Sequence, residues 1–302
     1  MNATTHVYLA TADRWTTRAG FGCSGLMGAL GRRESLALLS AAWDAGIRHF
    51  DVAPLYGHGE AENVLGSFLR GKRDQATIVT KFGLAPTGNS WLLRIARAMA
   101  RPLRGTATAL RPRHQAATQV APPRAPFDAR HAERSLVSSL RALQTDCIDI
   151  LLLHEAEPHL LGDNGLLNFL EQAVRKGMIR SFGVGGESGK ASAVFSTMPL
   201  YCRVVQCEWN ALNDRIPNYP GSDVIVFGAI GRCRDRGVPP EAVLRAAALA
   251  LAGSVVLFSS RNAAHIASSA RALTDARLDA SALDLLAAAG NNQSAATQAA
   301  KP

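Results

Sequence analysis

Short β-rich runs alternate with amphipathic helical patterns through most of this chain. That alternation restricts the fold to parallel strands joined by helical crossovers. The strand-like runs are HVYLATA, GFGCSGL, IRHFDV, ATIVTKF, IDILLLH, IRSFGVG, RVVQCEW, DVIVFGA and SVVLFSS. Between them, RRESLALLSAAWDAG places Leu36, Leu39, Ala42 and Trp43 at helical spacing and stops at Gly46. EAENVLGSFLRG repeats the pattern with Val64, Leu65, Phe68 and Leu69, and HAERSLVSSLRALQ with Leu136, Leu140 and Leu143. GLLNFLEQAVRKG ends on Lys176 and Gly177, a basic last turn followed by a glycine stop. Two architectures compete, the open doubly wound sheet and the closed barrel. Gly20, Gly22 and Gly25 form a loose glycine-rich phosphate pattern, but no helical pattern starts directly after them. About eight strands in 302 residues favour the barrel, which takes about 250 residues.

The expected organisation is one (β/α)8 domain over residues 1–290 and a frayed tail over 291–302. Residues 84–126 interrupt the alternation after the third barrel strand. They read as one basic helix followed by flexible coil rich in Ala, Pro and Arg. NALNDRIPNYPGSD is too short for a full sixth crossover helix, and the loop GAIGRCRDRG after the seventh strand is also short.

Composition excludes several classes. A hydrophobic content of 47% fills a large core and argues against a disordered adaptor. The net charge is +9, and much of the excess lies in Arg94, Arg97, Arg101, Arg104, Arg111, Arg113, Arg124 and Arg130. Such a surface suits an anion or is simply a solvated insertion. No aromatic is interleaved between Trp91 and Phe127, so nucleic acid is not expected as a partner. The five cysteines form no CxxC pair, which leaves a zinc site or disulfide framework without support. The opening MNATTHVYLATADRW has no basic start before an apolar stretch, and the apolar run Ala246 to Phe258 is broken by Gly253 and Ser254. A cytoplasmic protein without a membrane span is expected, as a monomer or small homo-oligomer.

The chemistry gathers at strand ends. In a parallel barrel the residues at the carboxyl ends of the strands converge on one pocket. Asp51 ends IRHFDV, Tyr56 lies in the loop after it, Lys81 ends IVTK and His154 ends DILLLH. Taken singly each has an ordinary explanation, as a cap, a packing residue, a solvated lysine and a core histidine. Together they complement one another. A lysine cation lowers the pKa of a nearby tyrosine, a carboxylate keeps the lysine charged, and a histidine donates to a carbonyl oxygen. The run HEAEPH, with His154, Glu155, Glu157 and His159, could suggest metal ligation, but Pro158 and the lack of helical spacing count against it. No metal is expected.

These segments resemble the aldo-keto reductase family. FDVAPLYGHGEAENVLGSFL is similar to its first signature, and HAERSLVSSLRALQTDCIDILLLH to the second. IVTKFG, GMIRSFGVG and VVQCEWNAL resemble further family strands, so that the likeness covers roughly residues 18–83 and 128–271. It implies a (β/α)8 TIM barrel using a nicotinamide cofactor, NADPH with NADH as the other candidate. It also implies a catalytic tetrad of Asp51, Tyr56, Lys81 and His154, with Tyr56 as general acid/base. The implied cofactor contacts are Gln206 at the nicotinamide amide and Phe227 stacked on its ring. Gly185, Ser259, Ser260, Arg261 and His265 complete the set, with Arg261 near a 2′-phosphate. GVGG stands where the family has Gly-Val-Ser-Asn, so that Gly185 and Gly186 lack the usual side chains. The expected activity interconverts a carbonyl and an alcohol on a small polar substrate, sugar-like or anionic. A step without net redox on a sugar or natural-product intermediate, and a non-catalytic cofactor-sensing barrel, remain alternatives.

Overall fold

A computed structural model describes residues 5–28, 30–85, 122–162, 164–209, 217–231 and 238–275. The expectations for most of the basic insertion, for most of the sixth-crossover and seventh-strand loops, and for the tail fall outside these residues. Eight parallel strands close a barrel: β3 (Ala19–Gly22), β4 (His49–Asp51), β5 (Thr77–Phe82), β6 (Ile148–His154), β7 (Ile179–Gly186), β8 (Val204–Glu208), β9 (Asp223–Phe227) and β10 (Val255–Phe258), which pairs back onto β3. The described helices are α1 (Arg32–Asp44), α2 (Ala61–Leu69), α3 (Ala129–Leu143), α4 (Asn164–Arg175), α5 (Ser188–Thr197), α6 (Pro240–Ala250) and α7 (Ala263–Thr274). Among the described residues no helix is long and apolar enough to cross a membrane.

HVYLATA is not a barrel strand. Its first four residues, β1 (His6–Leu9), pair antiparallel with β2 (Arg14–Thr17) in a hairpin outside the barrel sheet. Val7, Leu9 and Ala12 pack against the interior residues Val79, Ile150, Leu152, Val204, Ile225 and Val255. The hairpin therefore stoppers the N-terminal end. Asp223, the first residue of β9, fastens it by accepting from the amides of Ala10 (2.9 Å) and Thr11 (2.8 Å) and from the Thr11 hydroxyl (2.6 Å).

Alternation along the strands separates two apolar clusters. Ile78, Leu151, Leu153, Val205, Val226 and Val256 face the helices, and Val79, Ile150, Leu152, Val204, Ile225 and Val255 face the interior. Extending the interior parity one or two steps toward the carboxyl ends reaches Asp51, Lys81, His154, Gln206 and Phe227. The candidate site is thus the uppermost interior layer of the barrel.

On the outside, α2 crosses the end of α3 closely enough that a Cβ on Gly66 would lie 2.5 Å from the Leu143 carbonyl oxygen and 2.6 Å from its carbon. Both are backbone atoms, so relief requires moving a helix. Gly66→Ala is expected to destabilise by about 1–3 kcal/mol in urea unfolding, although alanine is the better helix former by about 1 kcal/mol. An unchanged or raised midpoint would show that the helices can separate at no cost.

Candidate active site

Asp51 and Lys81 form the centre of the site. Lys81 Nζ donates to Asp51 Oδ1 at 2.6 Å and Oδ2 at 2.7 Å, and to the Val52 carbonyl at 3.3 Å. Both side chains are buried. Gln206 Nε2 also donates to Asp51 Oδ2, at 2.7 Å. Burial disfavours the ammonium, but the Asp51 carboxylate, with Tyr56 beside it, outweighs this and raises the Lys81 pKa.

Tyr56 opens a 3-10 turn, Tyr56–Gly59, in the loop after β4. Gly57 and His58 both have φ of 58°, and a Cβ on Gly57 would lie 2.5 Å from the Leu26 carbonyl oxygen. The left-handed turn pressed against residues 26–27 holds Tyr56 over the barrel mouth. The Tyr56 and His154 rings meet edge to face at 88°, with centroids 6.3 Å apart, and Lys81 Nζ is 5.4 Å from the tyrosine centroid.

The electrostatics correct one expectation. Lys81 does pull the Tyr56 pKa down, but burial outweighs it and the net direction is upward. Tyr56 is held as a phenol at neutral pH, able to donate its proton. Burial, with Lys81 second, depresses His154 to about 3, so its imidazole is neutral across the ordinary pH range.

The tetrad lines a cavity of about 460 Å³ together with Gln206, Phe227, Gly186, Ile230 and Ser259. A second cavity of about 510 Å³ is lined by Ser259, Ser260, Arg261, Asn262 and His265, and shares Gly22, Ser24 and Ser259 with the first. The two make one elongated groove from the tetrad to the start of α7. Six of the seven cofactor positions anticipated from sequence line it: Gln206, Phe227, Ser259, Ser260, Arg261 and His265. Gly185 does not. It sits beneath the cavity, where a Cβ would be 3.1 Å from Gln206 Oε1. Two of the anticipated hydroxyls are already engaged. Ser259 Oγ donates to the Gly22 carbonyl at 2.8 Å, and Ser260 Oγ accepts from the Asn262 amide at 3.1 Å. Asn262 caps α7, its side chain accepting from the Ala264 amide at 2.9 Å.

A model of the aldo/keto reductase family matches residues 19–219, two thirds of the 302-residue chain. The chain belongs to that family. As an aldo/keto reductase it is 51% identical over 59 residues to pyridoxal 4-dehydrogenase of Microbacterium luteolum, covering 20% of this chain and 17% of the relative. It is 33% identical over 164 residues to D-threo-aldose 1-dehydrogenase of a Pseudomonas species, covering 53% and 46%. The chain thus matches less than half the length of each of these curated relatives. The fold is shared with an aldo-keto reductase of Klebsiella pneumoniae solved in complex with NADPH, with a TM-score of 0.63, 21% identity, and coverage of 93% of this chain and 94% of that one.

Glu155 also lines the cavity, and sequence reasoning weighed it only as a metal ligand. Its φ is +58°, a left-handed conformation that costs a non-glycine residue about 1–2 kcal/mol. The role of His154, directly before it in the chain, masked it. The signals that could have found it are the glycine at 186 and the lysine at 190, far along the chain.

Proposed function

We propose that this aldo/keto reductase is a nicotinamide-dependent oxidoreductase interconverting a carbonyl and an alcohol on a small, polar, sugar-like substrate. One observation carries the reading: a phenol, a neutral imidazole and a lysine–carboxylate pair converge on a cavity that continues into a groove ending at Arg261.

The groove fits a dinucleotide in chemistry. Phe227 offers an aromatic wall and Gln206 an amide at the tetrad end, and Arg261 offers an exposed cation at the other. Bound there, the cofactor supplies or accepts hydride at the carbonyl carbon. The protein manages the proton. In the reducing direction the Tyr56 hydroxyl donates to the carbonyl oxygen, and His154 donates a hydrogen bond that directs the same oxygen. Lys81 stabilises the resulting phenolate, and Asp51 keeps the lysine charged and aimed. Gln206, through its bond to Asp51, couples the cofactor end of the cavity to the proton-handling end. The name of the Pseudomonas relative supports an aldose-like substrate.

The purified protein should oxidise NADPH one for one with the carbonyl reduced, and bind NADPH more tightly than NADH in a fluorescence titration. Arg261→Ala should weaken NADPH binding about tenfold and leave NADH within twofold, the size expected for one charge-assisted phosphate contact of about 1.4 kcal/mol. Turnover of carbonyl substrate without matching cofactor consumption would replace this reading with chemistry lacking net redox. Equal loss of both cofactors would remove Arg261 from the phosphate.

A further inference from the structure

The cavity holds a second carboxylate that the proton-transfer scheme does not use. Glu155 follows His154 directly, and its left-handed backbone lets its amide donate to the Gly185 carbonyl at 2.7 Å. The side chain then seats at the end of β7. A Cβ on Gly186 would lie 2.8 Å from both the carboxyl carbon and Oε1, and 3.0 Å from Oε2. The absent side chain at 186 is therefore the space the Glu155 carboxylate occupies. Two donors hold it: the Glu187 amide at 3.2 Å to Oε1 and Lys190 Nζ at 2.9 Å to Oε2.

The arrangement has a direction. Glu155 lines the cavity and Lys190, in the first turn of α5, does not. A ligand in the cavity meets the negative end of this ion pair. Lys81 is the one Lys or Arg among the described residues lining that cavity, and both oxygens of Asp51 engage it. His154 beside it is neutral. Among the described lining residues a carboxylate on the substrate would find no uncommitted cation and would face Glu155 in a partly desolvated space. A hydroxyl would find an acceptor with lone pairs to spare.

We propose that Glu155 is a specificity-determining residue: it accepts hydrogen bonds from hydroxyls of a neutral, hydroxylated aldehyde or ketone and turns away substrates carrying a carboxylate beside the carbonyl. This rests on the redox reading above. Gly186 provides the seat and Lys190 sets the strength of the field.

The test compares kcat/KM for glyceraldehyde, propanal and glyoxylate in wild type, Glu155→Gln, Lys190→Met and Glu155→Leu, each checked for native far-UV circular dichroism. Glu155→Gln should raise the glyoxylate-to-propanal ratio at least tenfold, because the repelling charge is gone and Lys190 keeps only its longer pairing with Glu187 at 3.5 Å. Lys190→Met should lower the same ratio at least threefold, because the carboxylate is no longer neutralised from behind. Glu155→Leu should lower the glyceraldehyde-to-propanal ratio about tenfold through loss of the acceptor. General damage to the strand end would move the first two variants the same way, so shifts in a common direction, or a Glu155→Gln ratio within twofold of wild type, would overturn the assignment. The same comparison read as binding, glycolate against ethylene glycol by calorimetry, needs no turnover. If wild type reduces no aldehyde, the redox reading fails, and the calorimetric ratio still decides the role of Glu155 by the same signs.

Discussion

Tyr56→Phe is expected to lower turnover by about 10²–10⁴-fold, the range for removing a general acid, while NADPH affinity stays near wild type. In the proposed scheme the Tyr56 hydroxyl hands the proton to a carbonyl held by His154, and phenylalanine keeps the ring that meets the imidazole at 88°. The packing therefore survives and only the proton is lost. The pH dependence has a sign fixed by the directions of the shifts. Because burial raises the Tyr56 pKa, the acid form persists through neutral pH, and the reduction rate should fall only under strongly alkaline conditions. Oxidation of the alcohol needs the phenolate and should climb with pH over the same span. His154, at about 3, contributes no inflection near pH 6.5, the ordinary histidine value. A Tyr56→Phe enzyme retaining turnover within threefold would sink the assignment. So would an inflection near 6.5 that disappears in His154→Asn.

The parts of the site visible in the sequence are those that local periodicity reports. In TIVTK and IDILLLH a buried run ends on a residue of different chemistry, and the barrel puts both of these on the interior face at the same end. Period-two alternation and a shared strand polarity were sufficient to bring Lys81 and His154 together, whereas Phe227 came only from the family resemblance. The hairpin was not visible, because RWTT carries no apolar alternation of its own. Its place depends on Val7 and Leu9 plugging a barrel whose walls come from residues as far off as Val255. The sign of the Tyr56 shift was also hidden, since proximity to Lys81 can be inferred from strand ends but burial cannot. Glu155 was hidden for a third reason. Its meaning lies in the space left by Gly186 and the charge on Lys190, and GVGG alone reads as a loss of contacts rather than as room for a carboxylate from the neighbouring strand.

Asp149→Ala is expected to destabilise the fold by about 3–5 kcal/mol, the cost of removing one partner from a buried ionic cluster. Asp149, the second residue of β6, has 1% of its side chain exposed. Its Oδ2 accepts from Arg73 at 2.8 Å and from the Ile78 amide at 2.9 Å. Arg14 and Arg180 approach Oδ1 at 3.1 and 3.2 Å, but Oδ1 makes no hydrogen bond of good geometry, so these two contribute through charge. Arg14 comes from the plug hairpin, Arg73 from the turn before β5 and Arg180 from β7, so one carboxylate joins the plug to three neighbouring strands. Removing it leaves three guanidinium groups facing one another. The arginines are unequal partners. Arg180 is 43% exposed and Arg73 20%, so Arg180→Ala should cost under about 1 kcal/mol and Arg73→Ala more, since it also bonds the carbonyls of Ala76 and Cys147. The measurement is the urea midpoint with cofactor absent. An Asp149→Ala loss below about 1 kcal/mol would mean that water or repacking replaces the carboxylate. The protein that remains folded should keep its kcat, because this cluster is at the N-terminal end of the barrel and the tetrad is at the carboxyl ends of the same strands.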